Sequence, residues 1–157
     1  MTTQKICALF HNVRSAHNVG ALFRTADGAG VSKIFLTGIT PTPTDRFGRA
    51  QKEIAKTALG AEMSVPWEHA KNPAGIIKTL RAQSWSIVGV EQDTRAKQYR
   101  SFTLKKPTLF IFGSEIRGLS KALRDQCDTL IEIPMRGSKE SLNVSVAAGI
   151  ILFRFSN

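Results

Sequence analysis

The chain has 157 residues, enough for one domain with a full hydrophobic core but too few for two ordinary domains. Its apolar content of 42% is typical of a globular protein, and 22 Lys and Arg against 12 Asp and Glu give a net charge of +10. This positive excess favours a polyanionic partner, nucleic acid before membrane. No membrane-length apolar run or signal peptide is evident, which predicts a cytoplasmic protein with no membrane partner and a single domain over residues 1–157.

The two cysteines, Cys7 and Cys127, form neither a metal-binding pattern nor a disulfide framework. Both lie beside apolar residues, as buried thiols commonly do. The sequence therefore predicts no disulfide and no metal site.

Short β-branched segments alternate with helical patterns along the chain. The strand candidates are residues 6–10, 33–39, 86–91, 108–112 and 129–133, with a weaker one at 63–65. The helix candidates are residues 17–29, 50–59, 73–83, 120–126 and 142–155. Most strand candidates are continuous apolar runs, which indicates strands covered on both faces. We therefore predict an α/β fold with a mostly parallel sheet flanked by helices.

The first helix candidate, within HNVGALFRTADGAG, has an unusual polar side. Opposite its apolar face lie small residues and one charge: His17, Gly20, Ala21, Arg24 and Gly28. Each glycine costs a helix about 1 kcal/mol relative to alanine, so two on one side indicate a close approach by another group. Arg24 is suited to binding a phosphate or carboxylate, although an arginine that extends into solvent is the alternative.

Two polar segments separate the regular elements. Residues 37–48 contain two prolines and are predicted to form a long loop. Residues 93–106 combine five basic residues with Tyr99 and Phe102. These aromatics could stack on RNA bases, or they could pack beneath a solvated loop.

A buried strand leads into a second functional candidate, TLFIFGSEIRGLS from Thr108. Gly113 ends the strand and would let a ligand approach the backbone, while Glu115 could belong to the site or to the first turn of a helix. The glycine spacing matches neither GxGxxG nor GxxxxGK[ST], so the fingerprints of a dinucleotide fold and a P-loop are missing.

The third candidate, IEIPMRGSKESLNVSVAAGIILF, begins at Ile131. Ser141 is a natural N-cap for the helix that follows. That interpretation leaves Asn143, inside the predicted first turn, without a structural reason.

Together these stretches resemble the three motifs of the SpoU (TrmH-like) family of SPOUT RNA 2′-O-ribose methyltransferases, as a minimal single-domain member. The matching segments are NVRSAHNVGALFRTADGAGV from Asn12, FGSEIRGLS from Phe112 and IPMRGSKESLNVSVAAGI from Ile133, with a further likeness in KTALGAEMSVPW from Lys56. The resemblance covers nearly the whole chain. It implies the SPOUT fold with a C-terminal deep trefoil knot, S-adenosylmethionine as co-substrate, no metal, and a homodimer.

The resemblance also implies roles for individual residues. The catalytic candidates are Arg24, Asn18, Ser141, Asn143 and Glu115. The cofactor-binding candidates are Val90, Gly113, Ile133, Ser141 and Leu142. Arg24 would either accept the 2′-hydroxyl proton or hold the adjacent phosphate, the second because a guanidinium is a poor base. Dimer contacts would account for the small residues around Arg24.

The resemblance leaves the substrate open. Because the chain shows no accessory RNA-binding domain, RNA binding is expected to fall to the catalytic domain and its dimer partner, with tRNA as the first choice and rRNA the second. The alternative is a non-catalytic RNA-binding dimer that keeps the fold. A flavodoxin-like nucleotide protein is a more distant alternative, disfavoured by the positive charge and the missing phosphate loop.

Overall fold

The computed structural model describes residues 4–156. Over this range the strands are β1 Ile6–His11, β2 Lys33–Thr37, β3 Trp67–Ala70, β4 Ser86–Val90, β5 Lys97–Gln98, β6 Thr108–Phe112 and β7 Thr129–Glu132. The α-helices are α1 Ala16–Ala29, α2 Lys52–Ala58, α3 Ala61–Ser64, α4 Ala74–Ala82, α5 Lys121–Asp125 and α6 Val144–Phe155, with a 3₁₀ turn at Tyr99–Ser101. None of the helices in residues 4–156 is long and apolar enough to cross a membrane.

All seven strands form one sheet in the order β3-β2-β1-β6-β4-β7-β5, and every neighbouring pair is parallel. Side chains alternate between its faces, so Ala8 and Phe10 of β1 pack with α1, α2 and α6, whereas Cys7 and Leu9 pack with α4 and α5. Burial on both faces explains the continuous apolar strands. The α/β fold with a parallel sheet is confirmed, and the trefoil knot stays a prediction.

An aromatic cluster fills the space between the sheet and α6. Phe110 of β6 stacks on Phe155 of α6 at 5.2 Å between ring centroids, and Phe102 meets both rings edge-on at 6.5 and 5.5 Å. Phe102 therefore packs against the core, which is the second of the two interpretations given for residues 93–106. The same segment also contains β5, which the sequence did not predict.

Two short edge elements differ from the sequence-based expectations. Residues 63–65, predicted as a weak strand, belong to the end of α3 and its C-cap, so that prediction is wrong. The strand lies just beyond, at β3, whose sequence WEHA is half exposed because it pairs only with β2 on one side. An edge strand of this kind lacks the apolar run by which buried strands are recognised. The loop predicted at 37–48 is present, and regular structure resumes at α2.

The close approach predicted at α1 occurs, but within the chain. A Cβ on Gly20 would collide with Thr57 Oγ1 and the Ile54 carbonyl of α2. Thr57 Oγ1 also donates to the His17 carbonyl (2.8 Å), which holds the two helices together. The prediction that Gly20 forms a dimer contact is therefore wrong. Gly28 instead faces the ring of Phe153 on α6, where a Cβ would lie 3.1 Å from the ring, and it remains exposed.

Candidate active site

Two adjoining cavities lie where the carboxyl ends of the strands meet. The first, of about 310 Å³, is bounded by the ends of β4, β6 and β7 and by the start of α6. The second, of about 830 Å³, is bounded by the end of β1, the start of α1 and the segment after β2. Residues 114–118, here called the partition loop, line both cavities. Open α/β sheets hold their ligands at this edge.

The first cavity gathers every residue proposed for the cofactor. Its lining includes Val90, Gly113, Ile133, Ser141 and Leu142. These residues come from three strand ends and from the segment that precedes α6, and only the fold brings them together.

The wall of the first cavity also carries three carboxylates outside the predicted site, Glu91, Glu132 and Glu140. Glu91 directly follows β4 at the carboxyl edge, which is a position that could have drawn attention to it. An acidic rim around apolar side chains suits a nucleoside that carries a positive charge.

The partition loop is held by contacts within the chain. Gly118 adopts a φ of 60°, and its N–H donates to the Ser114 carbonyl (2.8 Å). The turn brings Gly118 so close to Gly113 that a Cβ on Gly113 would collide with it. The close neighbour of Gly113 is therefore the chain itself, and the interpretation that its backbone also admits a ligand stays a prediction.

Glu91 fastens this loop to the end of β4. Its carboxylate accepts from the Leu119 N–H (2.6 Å) and from the Gln92 N–H (3.0 Å). A Cβ on Gly118 would displace the same carboxylate, and the positive φ at this position also favours glycine. Glu91 therefore sets the position of the wall shared by the two cavities.

Three of the proposed catalytic residues meet at one carboxylate oxygen. Asn18 Nδ2 donates to Glu115 Oε1 at 2.5 Å, and Asn143 Nδ2 donates to the same oxygen at 3.4 Å. Glu115 lines both cavities and Asn18 lines the second. The cluster therefore lies at the junction of the two cavities.

The start of α6 explains Asn143. The helix begins at Val144, two residues later than predicted, and Asn143 is its N-cap, with Oδ1 accepting from the Ser145 N–H (2.8 Å). The expectation that Ser141 forms the cap is wrong, because Ser141 lies two residues upstream of the cap and exposed on the rim of the first cavity. With Oδ1 held by the helix, the amide NH₂ of Asn143 points to Glu115.

Arg24, like Ser141, is a proposed catalytic residue that does not join this cluster. Ser15 caps α1 by accepting from the Asn18 N–H (3.1 Å), which fixes the helix start at the second cavity. Arg24 lies six positions after Asn18, about 9 Å along the helix axis. Its side chain is exposed, and it lines neither cavity.

A histidine outside the predicted site lines the second cavity. Asn12 Oδ1 accepts from the Ile39 N–H, which orients the amide so that Nδ2 donates to His11 Nε2 (3.2 Å). His11 Nδ1 is then left to donate to Thr37 Oγ1 (2.9 Å). Burial lowers the pKa of His11, so the ring is neutral at pH 7.

The described part of the chain shows no cluster of metal ligands, and its two cysteines are free. Within residues 4–156, no three His, Cys, Asp or Glu side chains are grouped as metal ligands. Cys7 and Cys127 are free thiols, and burial raises the pKa of Cys7 to about 11 and that of Cys127 to about 12. Both thiols are therefore protonated and unreactive at neutral pH.

A parallel α/β sheet with two cavities at its carboxyl edge is typical of the open-sheet class of ligand-binding proteins. A sequence profile described as the SpoU rRNA Methylase family matches residues 5–153, and the chain belongs to that family. The family resemblance inferred from the three motifs is thereby confirmed.

Individual relatives agree with this membership. The chain is 37% identical over 141 residues to the 23S rRNA (guanosine-2′-O-)-methyltransferase RlmB of Ralstonia nicotianae, covering 90% of this chain and 54% of the relative. It is similar to an AdoMet-bound rRNA methyltransferase from Sinorhizobium meliloti, with a TM-score of 0.88, 29% identity and coverage of 98% and 56%. It is also similar to the A. aeolicus TrmH/SpoU tRNA modifying enzyme, with a TM-score of 0.83 and 28% identity, covering 97% of this chain and 74% of that enzyme. The chain spans about half the length of the curated relatives it matches.

Proposed function

We propose that the protein transfers a methyl group from S-adenosylmethionine to a ribose 2′-hydroxyl of RNA. The observation that carries the proposal is the junction of two cavities at Glu115, which contacts Asn18 and Asn143. A methyl donor on one side and a ribose on the other would meet at that junction. Such positioning of two reactants supplies much of the rate enhancement in a group transfer.

The first cavity fits the methyl donor. Val90, Ile133 and Leu142 would cover the adenine, the backbone at Gly113 would bind its polar edge, and Ser141 would contact the rim. The carboxylates of Glu132 and Glu140 would balance the donor's positive charge. When bound, S-adenosylmethionine supplies an electrophilic sulfonium methyl group, which needs no metal.

The second cavity would receive the nucleotide. Asn18 and Asn143 each keep one amide N–H beyond the bond to Glu115, and these would orient the ribose. Glu115 holds the two amides in place and contributes geometry rather than proton transfer. His11, neutral at pH 7, would form part of the cavity wall, since both of its ring nitrogens are held by Thr37 and Asn12.

Arg24 would act in a homodimer. Its exposed position on α1, outside both cavities of its own chain, is compatible with a role in the site of a second copy. There the guanidinium would either accept the 2′-hydroxyl proton or hold the adjacent phosphate while the proton passes to phosphate or water.

Ribosomal RNA is the first candidate substrate, and tRNA is the second. The sequence alone placed tRNA first. The relative from Ralstonia nicotianae is named for 23S rRNA and the Sinorhizobium meliloti enzyme for rRNA, which reverses that order. The likeness to an A. aeolicus tRNA modifying enzyme keeps tRNA as an alternative.

The proposal is tested by titrating S-adenosylmethionine calorimetrically and by measuring label transfer to rRNA and tRNA from a strain lacking the gene. We expect binding, transfer to one RNA, and one missing 2′-O-methyl mark in that strain's RNA by mass spectrometry. Absence of binding at millimolar S-adenosylmethionine would instead support the non-catalytic RNA-binding dimer.

Arg24→Ala is expected to lower the rate of methyl transfer at least about 100-fold, with the affinity for S-adenosylmethionine nearly intact. Lys78→Ala, on the opposite face of the sheet, is the control.

A further inference from the structure

The loop between β2 and α2 exposes an aromatic ring beside two arginines. Phe47 is 67% exposed, although phenylalanine is normally buried. The guanidinium carbons of Arg46 and Arg49 lie 4.8 and 5.0 Å from its ring centroid. Within residues 4–156, Phe47 belongs to neither hydrophobic core cluster, so packing does not account for the ring.

This loop tip has a defined conformation. Asp45 Oδ1 accepts from the Phe47 N–H (2.8 Å) and the Arg49 N–H (3.0 Å), while Oδ2 accepts from Arg49 Nε (2.9 Å). Thr44 and Ala50 form an antiparallel bridge below the tip. A ring held in this way loses little conformational freedom when it binds a partner.

The base of the loop lies at the rim of the second cavity. Thr40 is buried, and its Oγ1 donates to the Phe10 carbonyl (3.0 Å) and accepts from the Val13 N–H (3.1 Å). The preceding residue, Ile39, lines the second cavity. A nucleic acid that places one nucleotide in that cavity would pass near the loop.

Charge around the tip selects the kind of partner. Arg46 and Arg49 are followed on α2 by Lys52 and Lys56, all exposed. Among the described residues, Asp45 is the acidic group that pairs with this basic set, and it is occupied by Arg49. An exposed ring surrounded by guanidinium and ammonium groups is complementary to an unpaired base with its flanking phosphates.

We propose that Arg46, Phe47 and Arg49 form an RNA-contact site in which an unpaired base stacks on Phe47 and the arginines bind the neighbouring phosphates. The inference rests on the proposed RNA methyl transfer and adds the surface that holds the RNA outside the cavity. It differs from the sequence-based hypothesis, which placed base stacking at residues 93–106.

Phe47→Ala tests the proposal directly. We expect the Kd for the RNA substrate to rise about tenfold, since one base stack is lost, whereas the Kd for S-adenosylmethionine stays unchanged. Phe47→Trp keeps a stacking surface and is expected to retain RNA affinity. Met63→Ala removes an exposed apolar side chain from α3 and is the matched control. Arg46→Ala is expected to weaken RNA binding and to reduce its salt dependence.

The outcomes separate this inference from the proposed function. If the wild type neither binds nor methylates RNA, the proposed function fails. If the wild type methylates RNA and Phe47→Ala binds it equally well, the contact site alone is refuted. A Phe47→Ala protein that keeps its RNA affinity but changes its sedimenting mass would show that the ring forms a protein interface instead.

Discussion

At the scale of single residues, Glu115 offers the clearest test of the junction. Glu115→Gln keeps one oxygen acceptor but removes the negative charge that strengthens the hydrogen bonds from Asn18 and Asn143. We expect methyl transfer to fall about tenfold while S-adenosylmethionine affinity changes little. Glu53→Gln, on an exposed side of α2, is the control. Unchanged transfer in Glu115→Gln would show that the cluster does not organise the site.

Glu91 is expected to act on the wall rather than on the reaction. Glu91→Ala removes the acceptor of the Leu119 N–H, which destabilises the partition loop by about 1 kcal/mol and weakens S-adenosylmethionine binding. Glu91→Gln keeps an acceptor oxygen and should recover most of the affinity. Calorimetric titration of both variants measures the difference, and equal affinities would contradict the role of Glu91.

The motifs predict which residues surround the cavities better than they predict the structural role of each residue there. All five cofactor candidates line the first cavity. Asn143, however, acquires its reason only when α6 is seen to begin at Val144. Glu91 bonds to a residue 28 positions away, and local sequence patterns contain no information about such a contact.

At the scale of elements, an ion-pair cluster fixes the segment that follows β4. Asp93 accepts from Arg95 Nε (3.1 Å) and from Arg124 Nη1 on α5 (2.8 Å), and its side chain is only 6% exposed. The hydrogen bonds from Arg95, together with the positive charges of both arginines, hold the pKa of Asp93 well below its usual range. The cluster therefore ties the wall of the first cavity to α5.

Acid titration should reveal this cluster. A carboxylate whose pKa is depressed on folding contributes stability above its unfolded pKa, and that contribution is lost as the pH falls toward the folded value. The melting-temperature advantage of the wild type over Asp93→Asn is thus expected to be constant from pH 7 to about 5 and to shrink below about pH 4. A difference that stays constant into strong acid would rule out the charge as its source.

The helix pair α1 and α2 gives a matched test with two glycines. Gly20→Ala is expected to destabilise the protein by about 1–3 kcal/mol, because the added methyl group meets the backbone of α2. Gly28→Ala meets only the ring of Phe153, so helix propensity should leave it neutral or slightly stabilising. Chemical denaturation of both variants measures the contrast. Equal effects would indicate that α2 yields to the added methyl group.

Long buried elements follow from the sequence, whereas short edge elements do not. The run TLFIF identifies β6 because burial on both faces demands apolar side chains throughout. β3 and β5 are held by pairing with a neighbouring strand, and they carry polar residues that give no such pattern.

At the scale of the whole molecule, exposed apolar side chains on α6 suit the proposed homodimer. Val146 and Phe153 are 49% and 53% exposed, and Phe153 adjoins Gly28 of α1. Sedimentation should therefore give twice the chain mass.

If Arg24 acts in the partner's site, a purified heterodimer of one Arg24→Ala chain and one Glu115→Gln chain contains one intact site. Such a heterodimer should regain about half of the wild-type activity, whereas an arginine acting in its own chain would leave both sites defective.

The sheet and its class follow from composition and pattern, but the division of its edge into two cavities does not. That division depends on the turn of residues 114–118, which is set by Gly113, Gly118 and the carboxylate of Glu91 acting together. The identity of any one of these residues does not by itself predict that the edge is divided.

A single wall between two ligands has a thermodynamic consequence. Any movement of the partition loop that one ligand favours alters the free energy of binding the other, and the coupling must be equal in both directions. If RNA in the second cavity changed the affinity for the demethylated donor in the first cavity by some factor, the bound demethylated donor would change the affinity for RNA by the same factor.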